Sequence, residues 1–169
     1  MVLFIGFVVL LLATILQTTV VTRLPLLEGP ADVVMLVLLG WISRQHVEGD
    51  WGWAVMAGLM VGLASAMPIW VPLAAYLALA WTTRFLHNRV WQVPVLSLFT
   101  TTFLGTLLVH GLAYGFVVVS GANLTFGEAF NLVILPSLIL NLILALPVYG
   151  IMGELAKLLL PAEVTDERI

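Results

Sequence analysis

Four polar side chains, Thr102, Thr106, His110 and Tyr114, recur at every fourth position around "TTTFLGTLLVHGLAYGF", residues 100–116. That spacing places them on one face of a helix. Ser137, Asn141 and Tyr149 follow on a second such stripe, interrupted by Ala145. An imidazole among hydrocarbon side chains could carry a proton, bind a metal or activate a nucleophile. A proton path needs ionisable partners at depth, and no Asp, Glu, Lys or Arg falls at the centre of an apolar run. A metal needs several ligands, whereas His46 and His87 lie in polar segments far from His110. With no cysteine there is no thiolate, and "VVVSGAN" is no nucleophile elbow for a serine. The expected chain is therefore no enzyme and carries no cofactor or metal. His110 is read as neutral and hydrogen-bonded to Asn141 or a nearby hydroxyl, at about 1 kcal/mol per bond.

The elements that position these residues follow from composition. Hydrophobic residues make up 62% of the 169 and charged residues 9%, with mean hydropathy +1.16. Soluble domains carry about a quarter charged residues, so the chain reads as an all-α integral membrane protein. The first 23 residues lack the positive leader of a secretory signal and read as a retained transmembrane helix. Six scattered basic residues and a net charge of −3 leave no patch for nucleic acid.

Six transmembrane helices are expected, over residues 2–21, 33–43, 53–67, 73–86, 94–120 and 128–160, as one domain (1–160) with a short tail (161–169). The second to fourth are short for a bilayer core of about 30 Å. The last is expected to bend at Pro136 and Pro147. With both termini cytoplasmic, Arg44, Arg84, Arg89, Lys157 and Arg168 lie inside and only Arg23 outside, as the positive-inside rule prefers. Trp41, Trp51, Trp53, Trp81 and Trp91 flank the inner loops and Trp70 the outer turn. His110 falls ten residues before the outer end of the fifth helix and Asn141 thirteen after the start of the sixth, depths within about 5 Å of each other.

Gln17 suits either a hydrogen bond to the start of the next loop or contact with a partner's helix. Asp32 reads as an N-cap and Glu128 as a first-turn acid. Ala54, Gly58, Gly62 and Ala66 make a small-residue stripe, repeated at Gly111 and Gly115. It serves packing within the bundle or docking of a foreign helix, and it could also pair two copies.

Three stretches resemble the bacterial rod shape-determining MreD family over nearly the whole length. They are "LLATILQTTVVTRLPLLEGPADVVMLVLL", "GDWGWAVMAGLMVGLASAMPIWVPLAAYLALAW", and the basic loop followed by two long helices and a short tail. Gln17, Pro30, Asp32, Gly58, Gly62, Pro68 and Tyr76 fall where that pattern places them. Ala31 splits the family's Pro-Asp pair, and Ala66 or a neighbour stands where an aspartate is frequent. The resemblance implies a multi-pass protein of the bacterial inner membrane, a non-catalytic scaffold of the cell-elongation, peptidoglycan-synthesising machinery. It would bind MreC and, through it, the peptidoglycan synthase complex and MreB, with Gln17, Arg23, Asp32, Gly58 and Gly62 as candidate contacts. The six-helix architecture is similar to the substrate-binding subunits of energy-coupling-factor vitamin transporters, which supplies the alternative function. Those subunits dock through Ala-x-x-x-Ala on the first helix, where this chain has Ala13 and Gln17.

Overall fold

The computed structural model describes residues 2–19, 29–43, 50–87 and 94–159. Among these the chain is helical, with no strand. The helices are α1 (Val2–Thr19), α2 (Val33–Ile42), α3 (Asp50–Ala64), α4 (Trp70–His87), α5 (Pro94–Val119) and α6 (Phe126–Leu159). The α5 segment Val95–Val119 and the whole of α6 are long and apolar enough to cross a membrane. Arg23, the end of the first expected span and the 161–169 tail lie outside the described residues.

Helix α4 begins at Trp70 rather than at residue 73. Pro72 sits in its first turn, where a missing N–H costs nothing because no carbonyl precedes it in the helix. Thr125 caps α6 by accepting from the Glu128 N–H, while the Glu128 carboxylate takes the Thr125 N–H and O–H. This capping box starts the helix two residues before the expected position. Residues Phe130–Ile134 of α6 form a π-turn, closed by the Leu135 N–H reaching back to Phe130 O. Pro136 follows immediately, and its lack of an N–H explains why the regular ladder gives way there.

Two turns mark one end of the bundle. Trp70 at the start of α4 meets Phe116 near the end of α5 edge to face at 5.4 Å, so the α3–α4 and α5–α6 turns lie together. This is the upper end. At the lower end, Trp41 and Trp53 pack edge to face at 5.5 Å, and the Trp53 ring covers Gly6 of α1. Both indoles are buried, so they are core residues and not the interface anchors expected; Trp51, Trp70 and Trp81 are exposed.

The core is α2. All ten of its residues are buried, against α1, α3, α4, α5 and α6. It runs parallel to α6: Asp32 meets Asn141, and Gly40 packs on Tyr149 and Met152. A helix apolar on every side belongs inside a protein, and this one has no lipid-facing side.

Candidate functional site

The middle of the bundle is where α2 begins. Asn141 lies fifteen residues from one end of α6 and eighteen from the other, and Thr106 twelve and thirteen from the ends of α5. Asp32, bonded to Asn141, is therefore near mid-depth. From there the ten residues of α2 descend only about 15 Å. A helix N-terminus at such depth exposes N–H groups where water is scarce, so protein must satisfy them.

Three of these donors have partners from three different elements. The Asp32 N–H donates to Asn141 Oδ1 at 2.7 Å, the Val34 N–H to Gln17 Oε1 at 3.0 Å, and the Met35 N–H to Asp32 Oδ1 at 2.9 Å. Asp32 is thus an N-cap, as its type and position suggested. Its Oδ1 also accepts from the Tyr76 hydroxyl at 2.8 Å. Asn141 turns its amide N–H to Thr106 Oγ1 at 3.0 Å, and Thr106 in turn donates to Thr102 O at 2.8 Å. Gln17, Asp32, Tyr76, Thr106 and Asn141 together tie α1, α2, α4, α5 and α6. Tyr76, Thr106 and Asn141 are fully buried.

His110 does not make the bond expected of it. Its Nδ1 lies 3.0 Å from Thr106 O, one turn back on its own helix. The pin between α5 and α6 is Thr106, whose depth below the α5–α6 turn matches that of Asn141 more closely. Tyr114, a turn above His110, donates to Leu124 O at 3.4 Å and stacks edge to face on Phe126, steadying the α5–α6 turn.

The expectation that no ionisable group lies at depth also fails. Asp32 was read only as an N-cap, and the depth of that cap was not foreseen: the 29–32 backbone lies near the middle of the bundle. Gly29 makes the descent feasible: a Cβ there would fall 2.2 Å from Val133 O and 2.6 Å from Ser137 Oγ, so the backbone of 29–32 lies directly on the π-turn region of α6. Above Asp32 is a cavity of about 250 Å³ lined by Gln17, Asp32, Ser65, Tyr76, His110 and apolar side chains of α3–α6. A second space of about 210 Å³ adjoins it at Gln17, Val61 and Ser65.

The glycine stripe on α3 is filled from within the chain. A Cβ on Gly58 would stand 2.8 Å from Leu73 Cα, and one on Gly62 would stand 3.1 Å from Ile69 Cα. Both glycines are buried in the α3–α4 hairpin, so neither is free to receive a partner's helix. Gly111 and Gly115 differ: both are exposed, and nothing lies within 4 Å of a Cβ at either.

Of the expected polar contacts, the structure joins Gln17, Asp32, Thr106 and Asn141 in one network and leaves His110 on its edge. Tyr76 was not singled out as a site residue, although a tyrosine within the otherwise apolar 70–80 stretch of α4 carried the signal. A buried phenol needs a partner, and the one available was Asp32. No cluster of three His, Cys, Asp or Glu that could hold a metal occurs among the described residues. The chain matches no protein-family profile, no curated protein and no solved structure.

Proposed function

We propose that this protein is a non-catalytic scaffold of the bacterial cell-elongation complex. It lies in the inner membrane with six crossing segments and both ends cytoplasmic, and recognises the single-span protein MreC. The observation that carries the reading is the contrast between two glycine seams. The Gly58–Gly62 seam is closed by α4, whereas the Gly111–Gly115 seam is open along a helix of membrane length. Small residues four apart let a second helix approach closely, which is how helices associate where lipid supplies no hydrophobic drive. A single transmembrane helix is the partner such a groove suits. The polar lock around Asp32 supports the same role, because it holds five helices in fixed relation behind the exposed α5 face.

The basic residues of the sequence favour the orientation: with both ends cytoplasmic, Arg44, Arg84, Arg89, Lys157 and Arg168 would share the inner side and only Arg23 the outer, as the positive-inside rule prefers. On this reading MreC links the bundle to the peptidoglycan synthase and to MreB. Co-purification with MreC from native bacterial membranes in mild detergent tests it. A photocrosslinker at Gly111 or Gly115 should capture MreC, and one at Gly62 should not. Folded protein that fails to retain MreC would refute the proposal.

A further inference from the structure

We propose that the cavity above Asp32 is a binding site for a small protonated primary amine. Two acceptors line this cavity. Asp32 Oδ1 is occupied by the Met35 N–H and the Tyr76 O–H, and the carboxylate also takes a hydrogen bond from the Gln17 side chain, which leaves lone-pair capacity on Oδ2. His110 Nδ1 faces a carbonyl, which can only accept, so in the neutral ring Nδ1 carries the hydrogen and Nε2 is an acceptor. No described residue donates to that Nε2. Both side chains line the cavity. An ammonium group offers three N–H donors and satisfies both positions with one ligand.

Charge points the same way. A carboxylate at mid-depth favours an opposite charge, and no Lys or Arg is among the described residues lining this cavity. An anion would be drawn to the N-terminus of α2 but for Asp32, which occupies that position and repels it. A calcium-like ion would need six or more oxygen ligands, more than Asp32, Gln17 and Ser65 supply. The remaining walls, including Val71, Val109 and Ala113, are apolar and accept a hydrocarbon stem. At about 250 Å³ the space falls just below the roughly 300–1,000 Å³ usual for drug-sized ligands, which limits the stem to a short one.

Protons compete with the amine for the Asp32 carboxylate, so affinity falls on acidification. Among the described residues lining the cavity, the other titratable groups are His110 from α5 and Tyr76 from α4. The proposal is independent of the scaffold reading, which is tested by retention of MreC.

The full chain, reconstituted in nanodiscs, is titrated with butylamine while thermal unfolding is followed, with butanol and butyrate as neutral and anionic controls of similar size. Butylamine should raise the midpoint and the controls should not. Acidifying the solution should weaken the response. Asp32→Asn should lower the apparent affinity tenfold or more. Ala113→Phe fills the wall from a partly exposed position and should abolish the response in a protein that still unfolds cooperatively, so the test survives if Asp32→Asn fails to fold. Equal responses to all three compounds, no response at millimolar amine, or an amine response unchanged in Ala113→Phe would overturn the proposal.

Discussion

Asn141 joins three segments by itself, accepting from the Asp32 backbone and donating to Thr106. Replacing it with leucine leaves the buried Asp32 N–H without an acceptor and removes the donor to Thr106 Oγ1, which still donates to Thr102 O, a loss of about 1–3 kcal/mol. His110 bonds only to its own helix, and His110→Leu should cost under about 1 kcal/mol. Thermal unfolding of the two variants in one detergent checks the order; a larger loss at His110 would contradict the Thr106–Asn141 pin. The residue types of this network were readable in the sequence, and so was the capping role of Asp32. Its pairing with Asn141 was not, because it joins positions 109 residues apart and depends on a loop whose depth no local pattern encodes. Matching helix depths admitted His110 opposite Asn141 within about 5 Å, but the same expected bounds put Thr106, fourteen residues from the end of the fifth helix, closer to the depth of Asn141, thirteen from the start of the sixth.

At the scale of the helices, glycine has two different uses. In α3 it brings two backbones together. Gly58→Ala places a Cβ 2.8 Å from Leu73 Cα and should destabilise the hairpin by about 1–3 kcal/mol, despite the better helix propensity of alanine. Gly111→Ala meets nothing and should leave the isolated protein as stable or up to about 1 kcal/mol more so. Unfolding midpoints measured side by side separate the two, and equal shifts would show that the α3 seam is looser than described. Helix positions were legible because long apolar runs between polar segments leave little choice of secondary structure. The π-turn was not, since Pro136 announces a break in the ladder without saying how the backbone repairs it. Nor was the burial of Trp41 and Trp53: indole suits both the membrane interface and the core, and only the tertiary packing decides.

For the whole molecule, α2 is as short as its sequence suggested, and what the structure adds is that it begins near mid-depth. The chain contains no cysteine, so single substitutions report on access without background. Ala113→Cys, on the cavity wall, should react with a membrane-impermeant maleimide, whereas Leu39→Cys, wholly enclosed in α2, should stay unmodified until the protein is denatured. Rapid labelling of both would mean that α2 is not enclosed as described. The composition made an all-helical chain with helices of membrane length legible, and the apolar runs showed that the second is short; its starting depth was not legible, because tertiary contacts of the 29–32 backbone set it. On the proposed membrane reading, that shortness would reshape the electrical profile of the bilayer. If the space above Asp32 is hydrated, most of a transmembrane voltage drops across the roughly 15 Å of α2 and its surroundings. A charge resting at Asp32 would then feel little of the roughly 2.3 kcal/mol that 100 mV exerts on a full crossing. Occupancy from the upper side would accordingly be almost indifferent to the energised state of the cell.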